Sequence, residues 1–338
     1  MASESLDEND LGRLIDAIKA ALSQRTYEEV EALLHQLPSK LQSDRLDEYQ
    51  KAHLAGAVEK CLERASGEND LSRVQVLLQL WRLETLGSLP SAGQLLSPLV
   101  AAAVHGHAAV VQYLLYHGAE VFPTVPGLTL NAAVDIDLRP VFQAFVKHGW
   151  DINTRAHTND PILIFILNRQ PLLLWFLENG ADPNAFSTTS RFGVTPLEAA
   201  ANKSTTEVID MLLEHGAKLD ASYPLHHAAT RPEPADGSSI AMMDYFLNLG
   251  VDINALQFEN HPERTMDSDR DLGTALHWIA GEGRTDRLKY LIQRGADIHR
   301  KSSQGRSPLD WAKSARRRAR NPVLVAFLKS LYVSAEPT

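Results

Sequence analysis

Residues 273–299 read GTALHWIAGEGRTDRLKYLIQRGADIH. Thr274 stands just before an apolar run, where its hydroxyl can accept one of the free N–H groups that open a helix. Leu276 is spaced to point inward, and Gly283 sits where that helix must stop, because a glycine takes the left-handed conformation without a Cβ penalty. Leu288, Leu291 and Ile292 then recur at helical spacing, giving a second helix with one apolar stripe. Gly295 ends that helix, and the following ADIH turns the chain outward. Two helices this short cannot bury a shared apolar face by themselves, so the segment needs neighbours of its own kind.

The rest of the chain supplies them. A glycine that follows an apolar helix recurs at Gly118, Gly149, Gly180, Gly216, Gly250 and Gly295, with successive spacings of 31, 31, 36, 34 and 45 residues. A second element recurs upstream of these: SPLVAAAVHGH from Ser97, TPLEAAANKST from Thr195, YPLHHAAT from Tyr223, TALHWIAGEGR from Thr274 and SPLDWAKSA from Ser307. Pro98, Pro196, Pro224 and Pro308 suit a first helical turn, where the missing N–H costs nothing. Small pairs such as Ala102 with Ala103, Ala200 with Ala201 and Ala228 with Ala229 allow two helices to approach closely.

A period near 33 residues with this opening and this Gly-Ala-Asp close resembles the ankyrin repeat. The resemblance covers residues 95–335. It implies an all-α solenoid of stacked helix-turn-helix units joined by short β-hairpin fingers, with a concave face made of first helices and fingers. It also implies that His226 and His277 bridge to neighbouring backbone, and that Asn153, Asn184 and Asn254 tie one finger to the next.

Residues 95–338 are therefore expected to form about seven repeats, the last acting as a C-terminal cap that closes on the helix NPVLVAFLKSLY from Asn321. Residues 1–94 lack the signature but carry four stretches of helical periodicity, around Leu11–Ile18, Val30–Leu37, Leu54–Leu62 and Leu71–Trp81, and are expected to form a helical N-terminal cap or two eroded repeats. A terminal unit must cover the open end of the core with a polar outer face, so it should look atypical. The unit near Thr129 and the unit at Pro161 also lack Pro-Leu-His, and the run ILIFIL in the second reads as a buried helix. Two insertions interrupt the period: RPEPADGSS, from Arg231 to Ser239, and LQFENHPERTMDSDRDL, from Leu256 to Leu272. Both read as loops, the first from its Pro, Gly and Ser content.

Composition narrows the function classes. No apolar run is long enough to span a bilayer, the opening MASESLDEND has no secretory pattern, and Cys61 is the single cysteine. A cytoplasmic location is expected, with the nucleus as the alternative. Net charge is −9 overall and uneven: −6 over residues 1–94, −11 over residues 95–272 and +8 over residues 273–338. The acidic middle disfavours nucleic acid and favours a basic partner; the basic end suggests salt-dependent self-association as a separate reading. The Arg-rich stretch ARRRAR at Ala315–Arg320 reads as a solvated surface.

No zinc-protease, nucleophile-elbow or phosphate-loop pattern occurs, so no catalytic residue, cofactor or metal is assigned. The resemblance implies a scaffold that binds another protein through finger tips and the variable positions after each small pair. The candidate residues are His105, Asp135, Trp150, Arg155, His157, Arg191, Phe192, Lys203, Arg231 and Glu282. Trp150 replaces the small residue after Gly149 and reads as an exposed aromatic anchor. The alternative is an enzyme or small-molecule binder, with His105, Asp135 and His157 converging in the groove of the eroded middle repeats.

Overall fold

The computed structural model describes residues 48–82, 90–155, 160–187, 193–232, 238–260, 271–315 and 319–334, together with Arg13, Ala17, Ala20, Glu29, Ala32 and Leu33. The first two periodic stretches of the N-terminal region fall largely outside the described residues. Contacts divide the chain into two compact units, Met1–Asp151 and Ile152–Thr338.

In the first unit the helices are α1 (Glu48–Gly67), α2 (Leu71–Arg82), α3 (Leu96–Val104), α4 (Ala108–Tyr116), α5 (Thr124–Thr129) and α6 (Arg139–Lys147). They form two layers: α1 packs on α3 and α3 on α5, while α2 packs on α4 and α4 on α6. The second unit opens with a short 3₁₀ helix (Ile162–Phe165), followed by α7 (Gln170–Glu178), α8 (Pro196–Lys203), α9 (Thr206–Glu214), α10 (Pro224–Ala229), α11 (Ser238–Asn248), α12 (Ala275–Glu282), α13 (Thr285–Gln293), α14 (Pro308–Ser314) and α15 (Pro322–Ser334). Its first-helix layer runs from the 3₁₀ helix through α8, α10, α12 and α14, each packed on the next; α7 packs on α9 and α11 on α13 in the second layer. Each unit is thus a stack of helix pairs.

The recurring glycines end the second helix of each pair by one device. Gly118, Gly149, Gly180, Gly216, Gly250 and Gly295 all have φ between +89° and +99°. The N–H of the residue after each glycine reaches back to a carbonyl in the last helical turn: Ala119 to Leu114 at 3.0 Å, Trp150 to Phe145 at 3.0 Å, Ala181 to Phe176 at 3.0 Å, Ala217 to Leu212 at 2.9 Å, Val251 to Phe246 at 3.2 Å and Ala296 to Leu291 at 2.9 Å. This is the left-handed stop of a Schellman cap. Its acceptor residue is a buried apolar side chain every time, so the cap also fixes which face turns to the core.

First helices start where the sequence places a hydroxyl. Thr195 with Glu198, and Ser307 with Asp310, form reciprocal capping boxes. At Thr274 the third-position partner is His277, whose Nδ1 accepts from the Thr274 N–H at 3.2 Å and pairs with its hydroxyl at 2.9 Å. The repeat at Ser97 departs from this pattern: α3 begins at Leu96 with no side-chain cap, and Ser97 is exposed within the helix.

The cores are apolar and continuous across neighbouring pairs. Leu99, Val111 and Leu114 in the first unit, and Leu197, Leu225, Leu276 and Leu288 in the second, are at most 1% exposed. Each such side chain contributes about 1.5–3 kcal/mol by leaving water.

Three features differ from the sequence-based expectation. The ILIFIL run is not an α-helix: Ile162–Phe165 makes one 3₁₀ turn, and the chain leaves it at Ile166. Pro161 precedes the turn and Ile162, Ile164 and Ile166 are β-branched, a poor combination for α-helix; Ile162, Leu163, Ile166 and Leu167 are nonetheless buried. In the unit near Thr129, the helix is Thr124–Thr129 and ends where the motif was expected to begin one. The fingers are turns, with no strand among the described residues. Side-chain amides take the place of a strand ladder. Asn153 donates to the Gly180 carbonyl at 3.1 Å and accepts from the Asp182 N–H at 2.8 Å. Asn184 repeats this with Gly216 at 2.9 Å and Lys218 at 2.9 Å, and Asn254 accepts from Asp297 at 2.8 Å.

Candidate functional site

The positions after the small pairs lie at the C-terminal ends of first helices, where each helix stops before turning into its partner. His105, just after α3, and Lys203 and Glu282, the last residues of α8 and α12, occupy equivalent places in their repeats, and all three are exposed. Arg231 follows Ala229 at the end of α10 and is half-buried. The framework around them is nearly constant from repeat to repeat, while these four side chains are two cations of different geometry, one imidazole and one carboxylate.

Several of the residues read from sequence as partner contacts are engaged within the stack. Arg231 donates through Nη1 to the Ser204 carbonyl at 2.7 Å and the Ala201 carbonyl at 3.4 Å, tying the α10 repeat to the end of α8. Lys203 donates to the Ile164 carbonyl at 3.1 Å, and desolvation lowers its pKa from the ordinary lysine value. Arg155 donates to the Phe186 carbonyl at 2.9 Å. Long cationic side chains here satisfy carbonyls that helix ends and fingers leave open.

Trp150 is corrected more sharply. It was expected as an exposed anchor and is 7% exposed. Its ring centroid lies 5.7 Å from Phe142 and 6.2 Å from Phe145. The cap that follows Gly149 points the next side chain inward, as it does at Ala119, Ala181, Ala217 and Ala296, and the indole packs on the two phenylalanines of α6.

His105 donates from Nδ1 to the Ala101 carbonyl at 2.8 Å and stacks on His107 at 5.7 Å. Asp135 is exposed. No hydrogen bond or ion pair joins His105 to Asp135, and His157, Arg191 and Phe192 lie outside the described residues. Glu282 is 41% exposed and sits 4.0 Å from Arg284. Desolvation raises its carboxyl above the usual range, while Arg284 and Arg287 pull it down.

Sequence reasoning missed Arg287. It lies on a second helix yet is 2% exposed, and its Nη1 donates to the carbonyls of Ala229 and Arg231, each at 2.7 Å. It therefore braces the base of the first insertion. The two motif histidines are placed as the resemblance implied: Nε2 of His226 donates to the Gly273 carbonyl at 3.1 Å, and Nε2 of His277 to the Arg306 carbonyl at 3.0 Å. Burial depresses both, His226 to about 3 and His277 below its ordinary value, so both are neutral at pH 7. Among the described residues no group of three or more His, Cys, Asp or Glu side chains is placed to hold a metal ion, and no helix is long and apolar enough to cross a membrane.

Comparison with known proteins agrees with the repeat geometry. Residues 95–124 and 192–222 match the family model described as "Ankyrin repeat", and residues 276–317 match that described as "Ankyrin repeats (many copies)". B-cell lymphoma 3 protein of Homo sapiens is 27% identical over 181 residues, covering 51% of this chain and 34% of that protein. Potassium channel AKT1 of Arabidopsis thaliana is 30% identical over 175 residues, covering 42% and 18%. Ankyrin repeat and SOCS box protein 11 of Danio rerio is 27% identical over 116 residues, covering 34% and 35%. The chain thus spans about a third or less of the length of these relatives. Among solved structures, the human ASB11 ankyrin repeat domain aligns with TM-score 0.41 at 18% identity, over 82% of this chain and 98% of that one. The Bcl-3 ankyrin repeat domain aligns with TM-score 0.42 at 20% identity, over 79% and 97%.

Proposed function

We propose that this chain, which carries ankyrin repeats, is a protein-interaction scaffold whose recognition surface, within each compact unit, is the C-terminal edge of that unit's first helices. One observation supports this reading above the others. The framework residues repeat from pair to pair, whereas the exposed residues after each small pair change chemistry from His105 to Lys203 to Glu282. A constant scaffold with a variable exposed edge is how a repeat stack encodes a particular partner. Relatives that also carry ankyrin repeats point to the same general role. The acidic charge of residues 95–272, net −11, suits a basic protein surface or an extended basic segment, steered in by long-range attraction. Lys203 reaches a neighbouring repeat and contributes its exposed flank rather than a free charge. We place the protein in the cytoplasm or nucleus.

The test is site-specific cross-linking in cells. A photo-reactive residue in place of Lys203 or Glu282, both in the second unit, is expected to capture one and the same partner. The same group in place of Lys289, on the second-helix layer, does not capture that partner. Equal capture of it from Lys289, or no capture from either edge position while circular dichroism stays helical, contradicts the assignment.

A further inference from the structure

The second helices of the second unit are joined by a row of polar rungs that changes character at the last helix. Asp210 of α9 accepts the Tyr245 hydroxyl of α11. Asp244 of α11 accepts the Tyr290 hydroxyl of α13 at 2.5 Å and pairs with Arg294. Counted back from Gly216, Gly250 and Gly295, the aspartates hold the sixth position and the tyrosines the fifth. The sixth position of α13 is Lys289. It crosses to α15 in the same way, with Nζ 5.4 Å from the centre of the Phe327 ring, a cation resting on an aromatic face. Phe327 thus stands where the tyrosines stood. The residue before it, from which a further rung would start, is Ala326 rather than a charged side chain.

The outer face of α15 is apolar where its predecessors are charged. Leu324 and Leu328 are fully buried on the inner face. On the outer face Val323, Ala326, Ser330 and Val333 are exposed, the two valines by 70% and 76%. A single exposed valine is ordinary. These four residues are spaced by three, four and three, so at 100° per residue they form one stripe, and that spacing is the seam of a helix that packs along another helix. Ala326 and Ser330 at its middle are small enough for close approach.

The borders of the stripe carry charge of one sign. Phe327, with Lys289 over it, lies along one side, and Lys329 lies along the other. The helix itself contains no carboxylate, and neither lysine forms an ion pair among the described residues. Residues 273–338 as a whole are net +8.

We propose that the outer face of α15 docks an amphipathic helix of a partner protein whose apolar seam is edged by carboxylates. Its apolar residues lie along Val323, Ala326, Ser330 and Val333, and its carboxylates meet Lys329 on one border and Lys289 on the other. A second copy of α15 fits less well, because antiparallel pairing sets Lys329 against its own counterpart, and like charges in juxtaposition are costly. The site lies on the second-helix layer and takes an acidic segment, so it does not rest on the first-helix edge or on the basic partner proposed for it.

Fluorescence anisotropy on the intact chain tests this with two labelled peptides: acetyl-(Glu-Ile-Ala-Ala-Leu-Glu-Gln)₂-amide and the same sequence with lysine for glutamate. The glutamate peptide is expected to bind, more weakly as salt rises, and the lysine peptide to bind at least tenfold more weakly. Combining V323S with V333S lowers the affinity of the glutamate peptide at least tenfold. Both side chains are exposed, so thermal unfolding stays unchanged. Combining K289E with K329E reverses the preference between the peptides. Equal binding of the two peptides, binding of neither, or an unchanged affinity in the V323S/V333S chain overturns the proposal. So does a dimer that strengthens with salt and is lost in V323S/V333S, which would identify a second copy as the occupant. Binding to phosphatidylserine–phosphatidylcholine vesicles in place of the peptide overturns it in favour of a membrane surface. Substitutions at Lys203 and Glu282 leave peptide binding unchanged, which separates failure here from failure of the recognition edge.

Discussion

Lowering the pH from 7 to 5 should destabilise the second unit, and His226 sets most of the size. The imidazole is buried and neutral in the fold, with a pKa depressed from 6.5 to about 3. In the unfolded chain it titrates normally. Below pH 6.5 the unfolded state therefore takes up a proton that the folded state refuses, and stability present above pH 6.5 is lost as pH falls. At about 1.4 kcal/mol per pH unit, the step from 7 to 5 removes about 2 kcal/mol. His277 is shifted in the same direction and adds to the loss. Glu282 is raised and acts oppositely, but its exposure makes that contribution small. The window closes above the ordinary carboxylate range, so acid titration of aspartates does not enter. Urea unfolding followed by circular dichroism reads the effect. With a slope of about 2–3 kcal/mol/M the midpoint falls by roughly 0.7–1 M. Glutamine in place of His226 keeps a side-chain N–H for the Gly273 carbonyl but cannot titrate, so H226Q should lose most of the pH dependence. A midpoint unchanged between pH 7 and 5, or a full pH dependence retained in H226Q, refutes the reasoning.

Gly216→Ala should cost about 1–2 kcal/mol, the conformational penalty alone, because a Cβ there meets nothing within 4 Å. Gly283→Ala should cost more, since its Cβ would also overlap the Ala319 carbonyl oxygen; thermal unfolding of the two variants side by side checks the order. Trp150→Ala should destabilise the first unit by about 3–5 kcal/mol as a core truncation, and a loss of partner binding with unfolding unchanged would restore the exposed-anchor reading. Arg287→Met should cost about 2–4 kcal/mol by stranding the Ala229 and Arg231 carbonyls, read as faster hydrogen exchange at the end of α10.

What the sequence disclosed and what it hid divide along physical lines. The helix-ending glycines were legible because a backbone at φ near +90° tolerates little else, and the same residue must recur wherever the same stop recurs. Thr195, Ser307 and Thr274 were legible as caps because the capping hydroxyl and its partner are three residues apart. The fingers were harder: Asn153 and Asn184 signal a bridge, but a turn stapled by an amide and a paired strand have the same short sequence. The bonds that Arg155, Lys203 and Arg231 make within the stack were not legible because their carbonyl acceptors lie 31, 39 and 27 residues away, and nothing local distinguishes a solvated cation from one reaching across a repeat. Trp150 looked like an outlier because neighbouring repeats carry alanine or valine there; the space it fills is set by Phe142 and Phe145.

The central claim is that neighbouring helix pairs hold each other folded, and Glu198 tests it most directly. It is fully buried; one carboxylate oxygen accepts the Thr195 N–H of its own repeat and the other the Tyr223 N–H of the next, each at 2.8 Å. Glutamine there turns an NH₂ toward one of those two donors. Hydrogen exchange on the intact E198Q chain should show α8 and α10 losing protection together, with less effect at α14. Loss confined to α8, or spread evenly through the second unit, would contradict it.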